Sequence, residues 1–150
     1  MRRRRIEVSA TSVAPPSAVY ALLIEGTTWP HWSPIESFEL ERPGGGAPEG
    51  VGAIRVFRRG RTTGSDQVLE LVPDRRLRYA SLSGLPVRDY VGEVELEPVP
   101  GGTHIRWQSS FFPAVRGTGW FVERGIRRFL AGCVRGLAEY AASHRDASAA

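Results

Sequence analysis

The chain has 150 residues, of which 41% are hydrophobic and 24% are charged, and its formal net charge is +4. This length fits one domain with a sizeable core, and no apolar stretch approaches the roughly 18 residues that a membrane-spanning helix needs. The single cysteine, Cys133, excludes an internal disulfide and a thiolate-rich metal site. All 20 basic residues are arginines, and the absence of lysine excludes Schiff-base chemistry and a P-loop.

The first five residues form a basic stretch with four arginines. No apolar run follows it, so it is not a secretory signal, and we expect a cytoplasmic, bacterial protein. Removing these four positive charges from a net charge of +4 leaves the rest of the chain neutral, so no basic nucleic-acid surface is evident. We predict a basic N-terminal arm at residues 1–5, one ligand-binding domain at 6–142 and a flexible tail at 143–150.

The front of the chain predicts one strand and two short helices. Weak alternation over residues 6–12 indicates the strand. A helix follows from Pro16, because proline fits the first helical turn, and Gly26 ends it. A second short helix runs through Trp32 and is closed by Pro34.

The middle of the chain is a series of short β segments separated by turn residues, a pattern typical of an antiparallel meander. We predict six further strands at residues 35–41, 51–59, 62–72, 77–83, 87–97 and 103–112. From residue 119 to about 142 the period becomes helical. The apolar positions there lie four, three, four and four residues apart, at Val122, Ile126, Phe129, Cys133 and Leu137.

Five motifs follow one another along residues 6–140. They are Pro16-x-x-Val19-Tyr20-x-Leu22-Leu23, Trp29-Pro30-x-Trp32-Ser33-Pro34, Gly50-x-Gly52, Pro73-x-Arg75-x-Leu77-x-Tyr79 and Gly101-Gly102-Thr103-x-Ile105-x-Trp107. In this order the chain resembles the START-like (SRPBCC, helix-grip) superfamily, and within it the polyketide cyclase/dehydrase and lipid-transport family. The resemblance implies an α+β fold with an internal apolar cavity. Its bent seven-stranded antiparallel sheet wraps around a long C-terminal helix, with two short helices after strand 1. Carriers, cyclases and regulators share such folds, so the fold leaves the function open.

The period-two pattern of the strands predicts which side chains face such a cavity. Three glutamates of the sixth strand cannot be buried unpaired, so the opposite face of that strand points inward. The inward residues of this strand are Arg88, Tyr90, Gly92, Val94 and Leu96. In the other strands they are Ile54, Val56, Leu77, Tyr79, Ser81, Ile105, Trp107, Ser109 and Phe111. Gly92 inside the strand predicts a bulge or bend that curls the sheet.

The predicted ligand-binding residues combine this face with the last helix and the loop before it. They are Ile54, Val56, Tyr79, Arg88, Tyr90, Val94, Trp107, Ser109, Phe111, Trp120, Phe121, Ile126, Phe129 and Cys133. A mostly apolar set with a few polar groups is typical of a small-molecule pocket. The alternative is plain packing, in which Arg88 extends out of the strand end into water and Cys133 is a small buried hydrophobe.

Aromatic residues also mark both ends of the predicted cavity. Trp29 and Trp32 either stack on a ligand or plug one end of the sheet, and the neighbouring prolines favour the plug. Phe112, Trp120 and Phe121 flank a glycine-bearing loop at residues 113–119, which is either a lid or an ordinary anchored loop.

The residues for acid–base or metal chemistry do not converge in the sequence. His31, His104 and His144 lie in three separate segments, so we expect no metal and no cofactor. Asp66 and Glu70 are the carboxylates whose direction the pattern leaves open, and no general acid/base pair is visible.

Three functions fit these observations. The first is binding or transport of a hydrophobic small molecule, such as a lipid, polyketide or isoprenoid, by a monomer or homodimer without a cofactor. The second is a polyketide aromatase/cyclase-dehydratase, in which Arg88 polarises a carbonyl and Tyr79 or Tyr90 relays a proton. The third is a START-like toxin or a ribosome- or RNA-interacting regulator, with phosphate contacts from the first arginines and from those of the last helix. A solvated helix face explains the helix arginines more simply, so we do not expect nucleic-acid binding.

Overall fold

The structure, a computed structural model, describes residues 2–144 and consists of one antiparallel sheet and three helices. The strands are β1 (Arg4–Ser12), β2 (Ser37–Arg42), β3 (Ile54–Arg59), β4 (Thr62–Val72), β5 (Arg76–Ser83), β6 (Val87–Val99) and β7 (Gly102–Pro113). The helices are α1 (Pro16–Leu23), α2 (Trp29–Trp32) and α3 (Gly119–Ser143), with a 3₁₀ turn at Gly26–Thr28. The sheet is open, in the order β1-β7-β6-β5-β4-β3-β2, and the predicted α+β architecture is confirmed.

Strand β7 lies between β1 and β6 and has the most regular pattern in the chain. Every second residue from Thr103 to Pro113 is buried, because this face of β7 lies under α3, which packs on β1 and β7. The residues that α3 buries recur at helical spacing and include Val122, Ile126, Leu130, Cys133 and Leu137. The hydrophobic core is therefore densest where β1, β7 and the second half of α3 meet.

Buried hydrogen bonds hold this dense region together. The Ser12 hydroxyl donates to the Ala138 carbonyl at 2.7 Å, and the Thr103 hydroxyl donates to the Ala14 carbonyl at 2.7 Å. Helix α3 also lies directly on α2, since a Cβ atom added at Gly136 would collide with the backbone oxygen of Trp32. These contacts leave no space between the layers at this end.

Several boundaries differ from the sequence predictions, and those of β1 and β3 have a clear cause. Strand β1 begins at Arg4 rather than at residue 6, and Arg3 forms an ion pair with Asp89. Arg4 and Arg5 of the predicted basic arm at 1–5 are strand residues, because they extend the pairing with β7. Strand β3 begins at Ile54 rather than at residue 51, because Gly52 has a φ of +93° and turns the chain there.

Of the predicted tail, Ser143 still belongs to α3, and residues 145–150 lie outside the described residues.

Among the helices of residues 2–144, none is both long enough and apolar enough to cross a bilayer.

Candidate functional site

A cavity of about 840 Å³ lies between α3 and the half of the sheet formed by β3, β4 and β5, and it opens at one end of the molecule. This volume is within the range of pockets that hold drug-sized molecules. The cavity exists because the inward residues of β4 and β5 near the opening are small, among them Gly64, Ser65, Ser81 and Ser83. The corresponding face of β7 carries Trp107 and Phe111, which fill the space under the helix.

The helix side of the cavity is apolar. Val122, Ile126, Phe129 and Leu130 of α3 line it. Gly125 lies on the same side, and a Cβ atom added there would meet no other atom within 4 Å. The missing side chain at Gly125 therefore widens the cavity where it opens.

The deep end of the cavity is formed by aromatic rings from three different elements. Trp29 of α2 packs on Phe57 of β3 with a centroid distance of 4.7 Å, and it meets Trp107 of β7 edge to face at 5.8 Å. The Trp29 indole N–H donates to the Leu23 carbonyl at 3.2 Å, which fixes the ring. Trp29 thus both closes this end of the layer, as predicted for a plug, and lines the cavity.

Two tyrosines supply hydroxyl groups to this apolar interior. Tyr79 and Tyr90 line the cavity, and their ring centroids are 6.3 Å apart. The indole N–H of Trp107 donates to the Tyr79 hydroxyl at 2.9 Å, and the Tyr79 hydroxyl in turn interacts with that of Tyr90. Burial raises the pKa of Tyr79 well above its usual value, and burial also raises the pKa of Tyr90, although the neighbouring Ser109 hydroxyl opposes that shift. Both phenols are therefore neutral donors at physiological pH.

A buried ion pair lies under the tyrosines. Arg55 is fully buried, and its guanidinium contacts both carboxylate oxygens of Asp66, with Nε–Oδ1 at 3.1 Å and Nη2–Oδ2 at 3.3 Å. Its Nη1 donates to the Leu23 carbonyl at 3.1 Å, and its guanidinium carbon lies 5.2 Å from the centroids of the Trp29 and Phe57 rings. Burial raises the pKa of Asp66, and the guanidinium opposes that shift. The pair joins β3, β4 and α1 beneath the aromatic end of the cavity.

Sequence reasoning missed Arg55, and this reversed the face assigned to β3. The structure points Arg55, Phe57 and Arg59 toward α3, and Phe57 and Arg59 line the cavity. The predicted Ile54 and Val56 lie on the other face of β3 and do not line it. The hairpin register could have revealed the inward direction of Arg55. Because β3 and β4 turn about Gly60, Arg55 lies opposite Asp66, a carboxylate that can pair with it in the interior.

Arg88 was also assigned to the wrong face. The pairing of β6 with β7 shifts by one residue between Arg88 and Val91, and Asp89 there has a φ of +52°. This bulge reverses the parity, so Arg88 is exposed, opposite the outward Phe112, while Tyr90 stays inward. The bulge predicted at Gly92 is at Asp89 instead, and Gly92 leaves room for the Tyr79 ring, which a Cβ atom would strike.

The other predicted residues divide into three groups. Six line the cavity: Tyr79, Tyr90, Trp107, Phe121, Ile126 and Phe129. Val94, Phe111, Ser109 and Cys133 are buried in the packed interior and do not line it. Trp120 lies outside the cavity, next to Arg2 and Arg4. Sequence reasoning did not select Leu130, Asp66 and Arg59 as lining residues, and only the packing of α3 against the sheet reveals them.

The opening of the cavity, called the mouth below, is bordered by three segments. They are residues 59–62 of the β3–β4 turn, 83–90 around the β5–β6 turn, and 115–124 before and within the start of α3. The residues of these segments that line the cavity itself are Arg59, Gly60, Thr62, Ser83, Gly84, Leu85, Pro86, Tyr90, Val115, Thr118, Phe121 and Val122. Arg59 lies over the Phe129 ring at 5.4 Å. Phe121 is 68% exposed and lies beside the opening rather than folding over it as a closed lid.

Residues for a metal do not converge in residues 2–144, where no cluster of three His, Cys, Asp or Glu side chains is close enough to hold an ion. The burial of Cys133 raises the pKa of its thiol to about 12, so this sulfur stays protonated. The arrangement therefore offers hydrogen bonding and apolar contact rather than a charged nucleophile.

The bent open sheet around α3, with a deep cavity between them, defines a START-like helix-grip protein. A family model described as polyketide cyclase / dehydrase and lipid transport matches residues 3–142, so the chain belongs to that family. Membership of this family supports either hydrophobic ligand binding or polyketide cyclisation.

Solved structures with this fold confirm the architecture. The Zhui aromatase/cyclase from Streptomyces sp. R1128 is 16% identical, with 95% of this chain and 96% of that chain covered and a TM-score of 0.80. Ara h 8.0201 is 17% identical, with 95% and 99% covered and a TM-score of 0.77. A protein from Thermobifida fusca is 21% identical, with 93% of each chain covered and a TM-score of 0.76. At these identities the likeness is one of fold. No curated protein sequence matches the chain.

Proposed function

We propose that this protein binds a hydrophobic small molecule that carries a carbonyl or hydroxyl oxygen, and that it holds the molecule in the cavity without a cofactor. The observation that carries the proposal is an apolar chamber of about 840 Å³ with two neutral phenol groups inside it. The apolar walls favour an alkyl, polyene or fused-ring body. The Tyr90 hydroxyl, backed by that of Tyr79, is placed to donate to an oxygen at its buried end.

The polar groups of the cavity support an uncharged ligand over a carboxylate. The guanidinium of Arg55 is already engaged by Asp66 and by the Leu23 carbonyl, so no buried cation is left to neutralise an anion at this end. A buried carboxylate without such a partner would carry a large desolvation cost. A ketone, alcohol or ester oxygen needs only the two phenol donors.

Native mass spectrometry and displacement of a lipophilic dye test the proposal. We expect the gently purified protein to carry a bound apolar molecule or to bind one dye that long-chain ketones displace. In Gly125→Leu the new side chain occupies the mouth, and we expect about tenfold weaker dye binding. Arg128→Leu places the same side chain on the exposed face of α3 and should bind like wild type. Wild-type protein that binds no dye, or a Gly125→Leu variant that binds it unchanged, would contradict the proposal.

A second candidate function is cyclisation of a poly-β-keto chain, and the paired phenols favour it. A ketone held by Tyr79 and Tyr90 would be polarised by two hydrogen bonds at its oxygen, which promotes attack of a neighbouring enol carbon on the carbonyl carbon. Arg88, the carbonyl-polarising residue of the sequence hypothesis, lies outside the cavity and has no part in this arrangement.

Incubation with a reactive poly-β-ketone tests this candidate. We expect Tyr79→Phe and Tyr90→Phe to change the ratio of cyclised products while dye binding persists, and we expect Arg88→Ala to leave that ratio unchanged. Products identical to those of the protein-free reaction would leave binding alone as the function.

A further inference from the structure

The mouth of the cavity exposes large apolar side chains in one short stretch. Val115 is 60% exposed, Trp120 is 62% exposed and Phe121 is 68% exposed, and the Trp120 and Phe121 rings touch edge to face at 5.9 Å. Leu85, on the adjacent β5–β6 turn, is 41% exposed. Single exposed apolar residues are common on protein surfaces, but a contiguous cluster with two exposed aromatic rings marks an interaction surface.

Positive charge surrounds this cluster. The three segments that border the mouth, together with residues 2–4 beside them, contain eight arginines and two acidic residues. Both acids face arginines, since Asp89 pairs with Arg3 and Glu123 lies 3.8 Å from Arg4. Glu36, also at the mouth, accepts a hydrogen bond from the Gly60 N–H. The chain as a whole carries only +4, so its positive charge is concentrated at this end.

A small cleft lies where the exposed apolar cluster meets the surrounding arginines. It has a volume of about 140 Å³ and lies between Arg2, Arg4 and Trp120, next to the first turn of α3. That turn contains no acidic residue, and the acidic group of α3 that reaches the cleft is Glu123, 3.8 Å from Arg4. The cleft offers arginine N–H groups beside an indole ring, an arrangement suited to a phosphate group with an apolar tail alongside.

We propose that the mouth of the cavity docks on an anionic lipid bilayer, with Val115, Trp120 and Phe121 entering the interface and the surrounding arginines meeting lipid phosphates. Aromatic rings flanked by arginines are the side chains that partition to this depth, with an apolar body in the acyl region and charge in the headgroup region. Anionic headgroups attract each such basic residue. In this orientation the cavity opens toward the membrane, and a water-insoluble ligand dissolved in the bilayer can enter it directly.

A bilayer explains the surface better than an acidic protein or RNA does. Either of those would account for the arginines, but neither would account for two adjacent aromatic rings that are mostly in water beside the opening of an apolar cavity. The role of this docking, which is to bring the cavity to a ligand held in the bilayer, rests on the proposed ligand binding. The docking itself is measured without any ligand, so the two can fail separately.

Tryptophan fluorescence reports the docking directly. Of the four tryptophans, Trp29, Trp32 and Trp107 are at most 5% exposed, and Trp120 is 62% exposed. Mixed with vesicles of phosphatidylcholine and phosphatidylglycerol, the protein should co-sediment and its emission should shift to shorter wavelength as Trp120 leaves water. Pure phosphatidylcholine vesicles, or high salt, should weaken the partition about tenfold or more. No binding to the anionic vesicles at low salt would overturn the proposal.

Paired variants locate the contact. Trp120→Ala combined with Phe121→Ser should lower vesicle partition about tenfold or more and remove the spectral shift. Val13→Ser is the control, because Val13 is 58% exposed but follows the far end of β1, about 30 Å from the mouth at the rise of a strand. Arg116→Glu combined with Arg124→Glu should also lower partition while leaving cavity dye binding intact. Equal losses in the Val13→Ser control, or no loss in either double variant, would contradict docking at the mouth.

A soluble polyanion tests whether the surface recognises negative charge alone or a negatively charged bilayer. Poly-glutamate and RNA should bind weakly and leave the Trp120 emission unshifted. If either binds as tightly as the anionic vesicles do, the surface recognises charge alone and the membrane proposal is wrong.

Discussion

The space between the sheet and α3 is filled by side chains at one end of the molecule and is empty at the other. The backbone architecture, strands packed under a helix, is the same at both ends. At the closed end, β1 and β7 present Ile6 and Ile105 to α3, and both are at most 1% exposed. At the open end, β4 and β5 present residues such as Gly64 and Ser81 to the same helix, and a cavity remains. The difference lies in side-chain size on neighbouring strands, so a few substitutions on one face of a sheet decide whether this fold is solid or hollow.

The two ends also differ in how their polar groups are satisfied. At the closed end the hydroxyls of Ser12 and Thr103 donate to backbone carbonyls and hold the layers together. At the open end the Tyr79 hydroxyl accepts a hydrogen bond from Trp107 and interacts with the Tyr90 hydroxyl at the cavity wall. Polar groups in the first region bond to the backbone of another layer, and those in the second line the cavity.

The largest effect is expected where the open end is anchored. Arg55→Ala leaves the Asp66 carboxylate buried without its partner, and we expect it to lower the free energy of unfolding by about 3–5 kcal/mol. Arg58→Ala is the control, because its ion pair with Glu39 is exposed on both sides, and it should cost about 0–1 kcal/mol. Urea unfolding measures both. Similar losses in the two variants would mean that the buried pair does not hold this end.

Glycine-to-alanine changes on α3 compare the two ends directly. At the closed end, Gly136→Ala places a methyl group against the backbone oxygen of Trp32, which cannot move without shifting α2. We expect a loss of about 1–3 kcal/mol in the free energy of unfolding. At the open end, Gly125→Ala meets no atom within 4 Å, and helix propensity should stabilise the protein by about 0.5–1 kcal/mol. Thermal unfolding that gives both changes the same sign would contradict the comparison.

A smaller effect concerns Cys133, which is fully buried beside the cavity. Burial raises the pKa of its thiol from the usual 9.0 to about 12 in the folded protein. The folded state therefore holds this proton more tightly than the unfolded state does, and its contribution to stability is complete below pH 9. That contribution is lost as the pH rises toward 12, at up to about 1.4 kcal/mol per pH unit.

Cys133→Ala isolates this contribution from the other groups that titrate in alkali. We expect the wild-type protein to lose stability relative to the variant between about pH 9 and pH 12, as measured by urea unfolding at several pH values. A difference that does not change with pH would show that the thiol is not shielded from water.

The sequence predicted the fold and the closed end well, because strong alternation determines them. The inward residues of β7 and the α3 positions Val122, Ile126 and Cys133 are buried as predicted. Prediction was wrong where a local feature breaks the pattern. A buried arginine looks like a solvent residue, so Arg55 reversed the face of β3, and a one-residue bulge at Asp89 moved Arg88 to the outside. The alternation of residues along a strand reveals neither the Asp66 partner of Arg55 nor the bulge at Asp89.

The cavity itself was expected from the family resemblance, and its size was beyond the sequence. Small residues such as Ser81 and Ser83 in a strand predict a turn or an exposed face as readily as a hollow. Only the structure shows that these side chains line a cavity whose other wall is α3. The same holds for Trp120, which pattern placed with the ligand-binding residues and the structure places outside the cavity.

The most direct test of the hollow interior is a lipophilic-dye titration of wild type beside two variants one residue apart on β5. Ser81 lines the cavity, and its neighbour Leu82, on the opposite face, is 51% exposed. We predict that wild type and Leu82→Phe bind one dye per chain with equal affinity and that Ser81→Phe, whose ring projects into the chamber, binds it about tenfold more weakly. Equal dye binding by all three proteins would show that the dye sits elsewhere and that the cavity is not the binding site.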